Sequence, residues 1–138
     1  MTDDAAWTRL AEARVGRLAT TAPRLVPVTF AVVGRAIVHA VDHKPKTTRA
    51  LARLEDLRRD PRVSLLADHY DEDWSQLWWV RADGMARVLE PHEAPRGMAL
   101  LADRYPIYRT QPPAGPVIEI AVSHWAGWCA SAPDSSGG

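Results

Sequence analysis

The stretch HAVDHKPKTTRALARLEDLRRDP, residues 39–61, combines a strand end, a loop and a helix in direct succession. Pro45 has no backbone N–H and cannot continue a central strand, so the loop begins before it. The hydroxyl of Thr47 or Thr48 can cap the N-terminus of a helix. The leucines that follow at helical spacing are Leu51, Leu54 and Leu57. The stretch therefore predicts a helix that packs one side against a sheet and ends before Pro61.

Positive charge is concentrated in this loop and in the first turns of the helix. Between His43 and Leu54 there is no acidic residue, and the cations are Lys44, Lys46, Arg49 and Arg53. Cations at a helix N-terminus oppose the helix dipole, which favours anions there. A bound anion, most simply a phosphate, would offset that cost. The alternative is a solvated basic surface, which is what most charge runs are.

Length and composition indicate one ordinary globular domain. The chain has 138 residues, 46% of them hydrophobic and 25% charged, which favours a single domain over residues 1–132 with a flexible tail at 133–138. The formal net charge is zero, so no global field attracts nucleic acid or an anionic membrane. No apolar run approaches a membrane span and the first residues are acidic, unlike a signal peptide, so we expect a cytoplasmic protein.

The sequence predicts no metal site. Cys129 is the single cysteine, which excludes an intrachain disulfide and a multi-cysteine zinc site. His39 and His43 are four residues apart, but on a strand and a loop rather than on one face of a helix. His69 lies among the acids of residues 68–73, a pattern typical of a solvated loop. Nucleophile-elbow, Walker and dinucleotide-binding motifs are also absent from the sequence.

The remaining hydrophobic patterns predict a β-rich domain with helices at its periphery. The predicted strands cover residues 15–21, 25–33, 36–41, 62–67, 77–80, 85–89 and 117–122, and the last of them extends toward residues 125–128. Residues 81–84 are either a hairpin turn or a bulge within one long strand. Besides the helix before Pro61, the predicted helices are a short one through Ala13, capped by Asp3 or Asp4, and one over residues 91–105. This order suits a small antiparallel barrel with six or seven strands and about three helices.

The chain has six tryptophans and only one phenylalanine. Five of the tryptophans lie in two groups, Trp74, Trp78 and Trp79 in an acidic segment and Trp125 and Trp128 near the end. Aromatic residues in such patterns most often form core or a dimer interface, and the minority interpretation is a stacking wall for a flat ring. Stacking on single-stranded nucleic acid would also require a basic groove, which the acidic segment argues against.

Three segments together resemble the pyridoxamine-phosphate-oxidase-like superfamily. They are LVPVTFAV at 25–32, AVDHKPKTTRALARL at 40–54 and DPRVSLLADHYDEDWSQLWWVRADGMARVLE at 60–90. More narrowly they resemble its actinobacterial branch of F420-dependent oxidoreductases, to which DHKPKTT and DHYDEDW followed by LWWVRADG are specific. The resemblance runs from about Ala13 to Ala130. It implies a mainly β, FMN-binding-like split barrel that forms a homodimer with cofactor sites at the interface.

The resemblance also implies which residues hold the cofactor. The phosphate candidates are Lys46, Thr47, Thr48 and Arg53, with Arg49 and Lys44 as further candidates. The segment whose backbone would lie against the ring system is Pro27, Val28 and Thr29, and the residues lining the same cleft, partly from the other subunit, are Trp78 and Trp79. A ligand against that backbone would explain a proline inside the predicted strand 25–33. Arg49 and Arg53 compete for the phosphate, and the pattern does not decide between them.

The implied function is that of an F420-dependent oxidoreductase, which transfers a hydride between the deazaflavin and a small organic substrate. The cofactor supplies the redox chemistry and the protein supplies position and electrostatics, so no catalytic side chain is identified. One alternative is an FMN-dependent oxidoreductase of the same fold, because FMN also carries a phosphate and a flat ring. The others are a non-catalytic F420- or flavin-binding carrier and a purely structural dimer.

Overall fold

Seven strands form one sheet in which every neighbouring pair is antiparallel. The computed structural model describes residues 1–41 and 48–130, with the backbone alone for 48–51. The strands are β1 Gly16–Thr20, β2 Arg24–Val28, β3 Ala31–Val33, β4 Ala36–Ala40, β5 Arg62–His69, β6 Trp78–Leu89 and β7 Val117–Cys129. They lie in the sheet in the order β2-β1-β5-β6-β7-β4-β3.

The sheet curls into a half-barrel because its two edge strands follow one another in the chain. β2 and β3 lie at opposite ends of the strand order, yet only Thr29 and Phe30 separate them. Six strand spacings of about 4.8 Å would hold the edges of a flat sheet roughly 29 Å apart. A link of two residues reaches at most ~11 Å from strand to strand. The split-barrel prediction is confirmed, and the prediction of one strand over residues 25–33 is wrong because the chain turns at this link.

The longest strands carry the centre of the sheet. β6 runs without a break through residues 81–84, and its pairing with β7 shifts register between Asp83 and Gly84. The bulge, and not the hairpin turn, is therefore the correct one of the two predicted alternatives. A Cβ on Gly84 would collide with the carbonyl oxygen of Ala121, so the bulge requires glycine there. β7 continues past residue 122 to Cys129, through the segment 125–128 toward which the predicted strand extends, and it pairs with β6 on both sides of the bulge.

The helices of the described residues pack on the curled sheet. They are α1 Asp3–Glu12, α2 Thr48–Arg59, α3 Pro95–Arg104 and α4 Ile107–Thr110, with two 3-10 helices at Trp74–Gln76 and Pro91–Glu93. Thr2, not Asp3 or Asp4, caps α1, because its Oγ1 accepts a hydrogen bond from the backbone N–H of Ala5. The predicted helix over 91–105 is a 3-10 turn followed by α3, and α4 after it is a helix that the sequence did not predict.

The core has two parts. The larger one lies between the sheet and helices α1 and α2, and its fully buried side chains include Leu10, Leu18, Phe30, Leu65 and Ile118. Leu54 and Leu57 are also buried there, as the helical spacing predicts. The smaller part lies under α3 and includes Ala31, Val38, Leu101 and Val117. Of the helices in the described ranges, none has the length and apolar composition that crossing a membrane demands.

Candidate functional site

Helix α2 is fastened to the β1–β2 hairpin through a carboxylate of its second half. The Asp56 carboxylate accepts hydrogen bonds from Arg24 Nε at 2.6 Å and from Thr20 Oγ1 at 3.2 Å. The hydrogen bond from Arg24 is the largest cause that lowers the pKa of Asp56 below its usual value. Because Arg53 lies one helical turn before Asp56, this contact also determines where Arg53 enters the core.

A chain of hydrogen bonds connects α2 with the link between the two edge strands. Arg53 Nη1 lies 2.8 Å from His39 Nε2, and His39 Nδ1 lies 3.0 Å from the carbonyl oxygen of Thr29. The Oγ1 of Thr29 lies 2.8 Å from the hydroxyl of Tyr108. His39 and Arg53 are only 3% and 8% exposed. We call Arg53, His39, Thr29 and Tyr108 the hydrogen-bond chain; its members come from α2, β4, the β2–β3 link and α4.

The protonation state of His39 follows from its two partners. A carbonyl oxygen only accepts, so His39 Nδ1–H must donate to Thr29. A guanidinium only donates, so His39 Nε2 must accept from Arg53. The imidazole is therefore neutral, with its proton on Nδ1. Burial, and after it the positive charge of Arg53, lowers the pKa of His39 to about 3.

The β2–β3 link is also held from the side of α3. Arg104 Nη1 donates to the carbonyl oxygen of Phe30 at 2.8 Å, and the hydroxyl of Tyr105 accepts from the backbone N–H of Phe30 at 3.2 Å. Arg104 further donates to the carbonyl oxygen of Ala13. The backbone of Thr29 and Phe30 is thus tied to β4 and to the end of α3, which gives this short link a defined shape.

The outer face of the sheet, on the side away from the core, carries an open and largely apolar surface. Across β2, β1, β5 and β6, the residues Pro27, Arg17, Leu66 and Arg81 lie in one row. A cavity of about 520 Å³ lies beside this row, and Leu25, 71% exposed, lines it. Ion pairs also lie on this surface, among them Arg17 with Asp68 at 2.8 Å, and both of these residues line the cavity. We call this surface the outer patch.

Trp78 and Trp79 lie on opposite faces of β6. Trp79 lines the cavity at the outer patch. Trp78 packs against the core side, where its ring stacks on His69 at 6.3 Å and lies under the guanidinium of Arg9 at 5.5 Å. Successive residues of a strand point to opposite faces, so the two tryptophans do not line one wall together. For each of them, a contact with the cofactor stays a prediction.

The other candidate residues are distributed as follows. Pro27 is exposed at the outer patch, Val28 is buried in the core, and Thr29 is half-buried in the hydrogen-bond chain. Of the phosphate candidates, Arg53 is buried against His39 and has further interactions besides. The side chains of Thr48 and Arg49 at the start of α2, and all of Lys44, Lys46 and Thr47, lie outside the described residues. Whether Arg49 or Arg53 contacts a phosphate is therefore not decided by their placement.

Two members of the hydrogen-bond chain, His39 and Tyr108, did not emerge as site residues from the sequence. His39 stands alone in the apolar strand β4, and this isolated polar residue was a usable signal. Tyr108 lies 79 residues from Thr29 in the chain, and no local pattern connects them. In the chain apart from residues 42–47 and 131–138, no three His, Cys, Asp or Glu side chains come together as metal ligands do.

Solved structures of several other proteins share this architecture. A conserved hypothetical protein, Rv2991, from Mycobacterium tuberculosis is 24% identical with a TM-score of 0.75, covering 100% of this chain and 92% of that one. An FAD binding protein from Mycobacterium smegmatis is 18% identical with a TM-score of 0.64, covering 93% and 96%. An FAD-binding protein from Mesorhizobium loti is 20% identical with a TM-score of 0.68, covering 92% and 94%. At these identities the likenesses show a common fold.

A comparison with family models shows the family of the chain in addition to its fold. No curated protein matches the chain. The family model described as pyridoxamine 5'-phosphate oxidase matches residues 2–129, which include all seven strands and both ends of the hydrogen-bond chain. With nearly the whole chain matched, the protein belongs to the pyridoxamine 5'-phosphate oxidase family.

Proposed function

We propose that this chain is an oxidoreductase that uses coenzyme F420 to transfer a hydride to or from a small organic substrate. The observation that carries the proposal is the hydrogen-bond chain. It connects the helix of the predicted phosphate-binding stretch, through Arg53, with the predicted ring-binding segment, through Thr29. The two predicted halves of a cofactor site are thus mechanically joined in the interior of one subunit. Membership of this family supports a redox cofactor of the flavin or deazaflavin type.

The described residues fit a cofactor that has a phosphate and a flat ring. The buried guanidinium of Arg53 is a planar donor group whose geometry suits phosphate oxygens. Pro27 is exposed next to the cavity of about 520 Å³, a volume within the usual range for small-molecule sites. Leu25, Leu66 and Trp79 give part of the lining an apolar character that suits a flat ring, and Arg17, Asp68 and Arg81 supply charged groups beside it.

When bound, the deazaflavin would supply the hydride chemistry. The chain's own residues would bind and orient it. Arg53 would donate charge-assisted hydrogen bonds to the phosphate, together with the candidates Lys46, Thr47 and Thr48 and with Arg49 and Lys44. The backbone of Pro27, Val28 and Thr29 would support one side of the ring. Because position and electrostatics suffice for hydride transfer, no side chain is required as a nucleophile.

An FMN-dependent oxidoreductase and a non-catalytic carrier are the competing functions. Two proteins of the same fold are named as FAD binding, which favours a flavin. The observation that favours F420 is the resemblance of residues 42–48 and 68–84 to the F420-dependent branch. An F420 molecule also has an acidic tail, for which Lys44 and Arg49 supply cations beyond those that a single phosphate needs.

The proposal includes a homodimer that covers the outer patch. Leu25, Met85 and Trp128 are 71%, 50% and 45% exposed on this face, and a second subunit could cover such exposed apolar side chains. A second copy of the chain fits this surface best. The ion pairs on the surface carry both positive and negative charges, so opposite charges can face each other across a two-fold axis. Light scattering should give twice the subunit mass, and Leu25→Glu should reduce it. Ile107→Glu, 55% exposed on α4, is the matched control and should stay dimeric.

The test of the cofactor is a titration of cofactor-free protein with F420, FMN and FAD, followed by tryptophan fluorescence. We expect tight binding of F420 and much weaker binding of the flavins. Arg53→Met should weaken F420 binding at least tenfold, since a charge-assisted contact contributes about 1.5–3 kcal/mol. Arg58→Met, at an exposed position of the same helix, is the matched control and should bind normally. Preferred FMN binding would move the function to the flavin branch, and binding of none of the three would refute the proposal.

A further inference from the structure

The member of the hydrogen-bond chain that holds the others in register is His39. Both of its ring nitrogens have partners, at 3.0 Å to Thr29 and 2.8 Å to Arg53, and the side chain is 3% exposed. A buried imidazole with two satisfied nitrogens cannot rotate without leaving polar groups unpaired, which is energetically unfavourable. The ring of His39 is therefore one of the contacts that hold the Arg53 guanidinium in place.

The direction of each hydrogen bond gives this contact a second property. Nδ1–H donates to the Thr29 carbonyl, so Nε2 presents a lone pair to Arg53. A neutral imidazole orients the guanidinium without supplying a negative charge. The imidazole itself therefore does not neutralise the positive charge of Arg53, whereas a carboxylate in the same place would. His39 thus orients Arg53 by a hydrogen bond, as a carboxylate could, but it does so without a negative charge.

The position of His39 in the fold also matters. β4 pairs with β3 and β7 and makes no sheet contact with β2, so the contact from β4 to Thr29 is made by a side chain. His39 is the residue that contacts both. From this geometry we propose that His39 is a positioning residue that sets the Arg53 guanidinium relative to the backbone of the β2–β3 link, and so sets the phosphate-binding point relative to the ring-binding point. This inference rests on the proposed function for its cofactor, and on the structure alone for the contact.

Two substitutions separate the two hydrogen bonds of His39. In His39→Asn the amide nitrogen can replace Nδ1 and keep the bond to Thr29, but nothing replaces Nε2. In His39→Gln the amide oxygen can replace Nε2 and keep the bond to Arg53. His39→Gln is therefore the conservative rescue, and His92→Asn, at an exposed histidine, is the matched control. Circular dichroism shows whether each variant is folded. If His39→Asn does not fold, His39→Gln still tests the inference, because it should leave the exchange of the Arg53 guanidinium protons nearly unchanged.

The first measurement needs no ligand. In the folded wild-type protein, NMR should show slow solvent exchange for the guanidinium protons of Arg53. We expect that exchange to accelerate at least tenfold in His39→Asn and to change little in His39→Gln and His92→Asn. Equal exchange rates in the wild type and His39→Asn would overturn the positioning role, whatever the protein binds.

The second measurement uses FMN and F420 as phosphate-bearing probes and riboflavin as the probe with a ring but no phosphate. His39→Asn should weaken the phosphate-bearing probes about tenfold and change riboflavin by less than about twofold, since the lost bond acts through Arg53. In an Arg53→Met background the effect of His39→Asn should vanish. Equal loss for all three probes would overturn the inference, because a general loosening of the fold would have that result. If the wild type binds no probe, the proposed function fails, and the exchange rates alone decide the positioning role.

Discussion

Acid should destabilise this protein in a pH range where its carboxylates are still ionised, because His39 is buried in its neutral form. The folded pKa of His39 is about 3, against 6.5 for an unperturbed histidine. Between these values the unfolded chain binds a proton that the folded chain excludes. The stability contributed by neutral His39 is therefore complete above pH 6.5 and is lost as the pH falls toward 3.

The size of the effect follows from the pKa difference. Each pH unit below 6.5 costs about 1.4 kcal/mol, so at about pH 4.5 the free energy of unfolding should be lower by about 2.7 kcal/mol. The carboxylates with lowered pKa values, such as Asp56 and Asp83, act at lower pH, since their unfolded pKa is 3.8 and their stabilisation is lost only as the pH falls past it. The range from about 6.5 to about 4.5 therefore isolates His39.

Urea unfolding measured at several pH values in this range tests the prediction. In the wild type, the free energy of unfolding should fall with a slope that approaches about 1.4 kcal/mol per pH unit. In His39→Asn, which has no titrating group at this position, the slope should be smaller by that amount. His92→Asn should keep the wild-type slope. A wild-type slope equal to that of His39→Asn would mean that His39 is protonated or solvated in the folded protein, and would refute the neutral tautomer derived above.

Three further predictions concern the fold around the site. Gly84→Ala should lower the free energy of unfolding by about 1–3 kcal/mol by chemical denaturation, because the new Cβ meets the Ala121 carbonyl, and an unchanged midpoint would contradict the bulge geometry. Tyr108→Phe should cost about 1 kcal/mol through the lost bond to Thr29, and equal stability would show that the bond contributes nothing. Asp56→Asn should increase hydrogen exchange in α2 more than in the sheet, and uniform exchange would argue against its anchoring role.

Much of the architecture was predictable because it depends on local patterns. Leu54 and Leu57 recur at helical spacing, and both are buried in the core. The bulge at residues 81–84 was one of two alternatives, since glycine in a strand favours either a turn or a bulge. The prediction of one strand over residues 25–33 was wrong for a physical reason. The hydrophobic pattern continues through Thr29 and Phe30, but at these residues the chain passes from one edge of the sheet to the other.

The candidate site was predictable only in part, because its contacts join residues distant in sequence. The sequence indicates a basic stretch with Arg53 at the second turn of a helix, but not that Arg53 turns inward to a histidine. It also places Trp78 and Trp79 in one strand, where strand geometry sends them to opposite faces.

The sequence by itself determined the antiparallel, helix-covered β-domain, the helix before Pro61 and the concentration of cations around the start of that helix. These properties depend on periodicity, proline and charge, which act over a few residues. Only the tertiary structure decided that His39 lies between Thr29 and Arg53, and that the β2–β3 link is held by Tyr108 and the end of α3. The reason is that closing the curled sheet brings together side chains from four elements, and a buried polar group takes whichever partner that closure supplies.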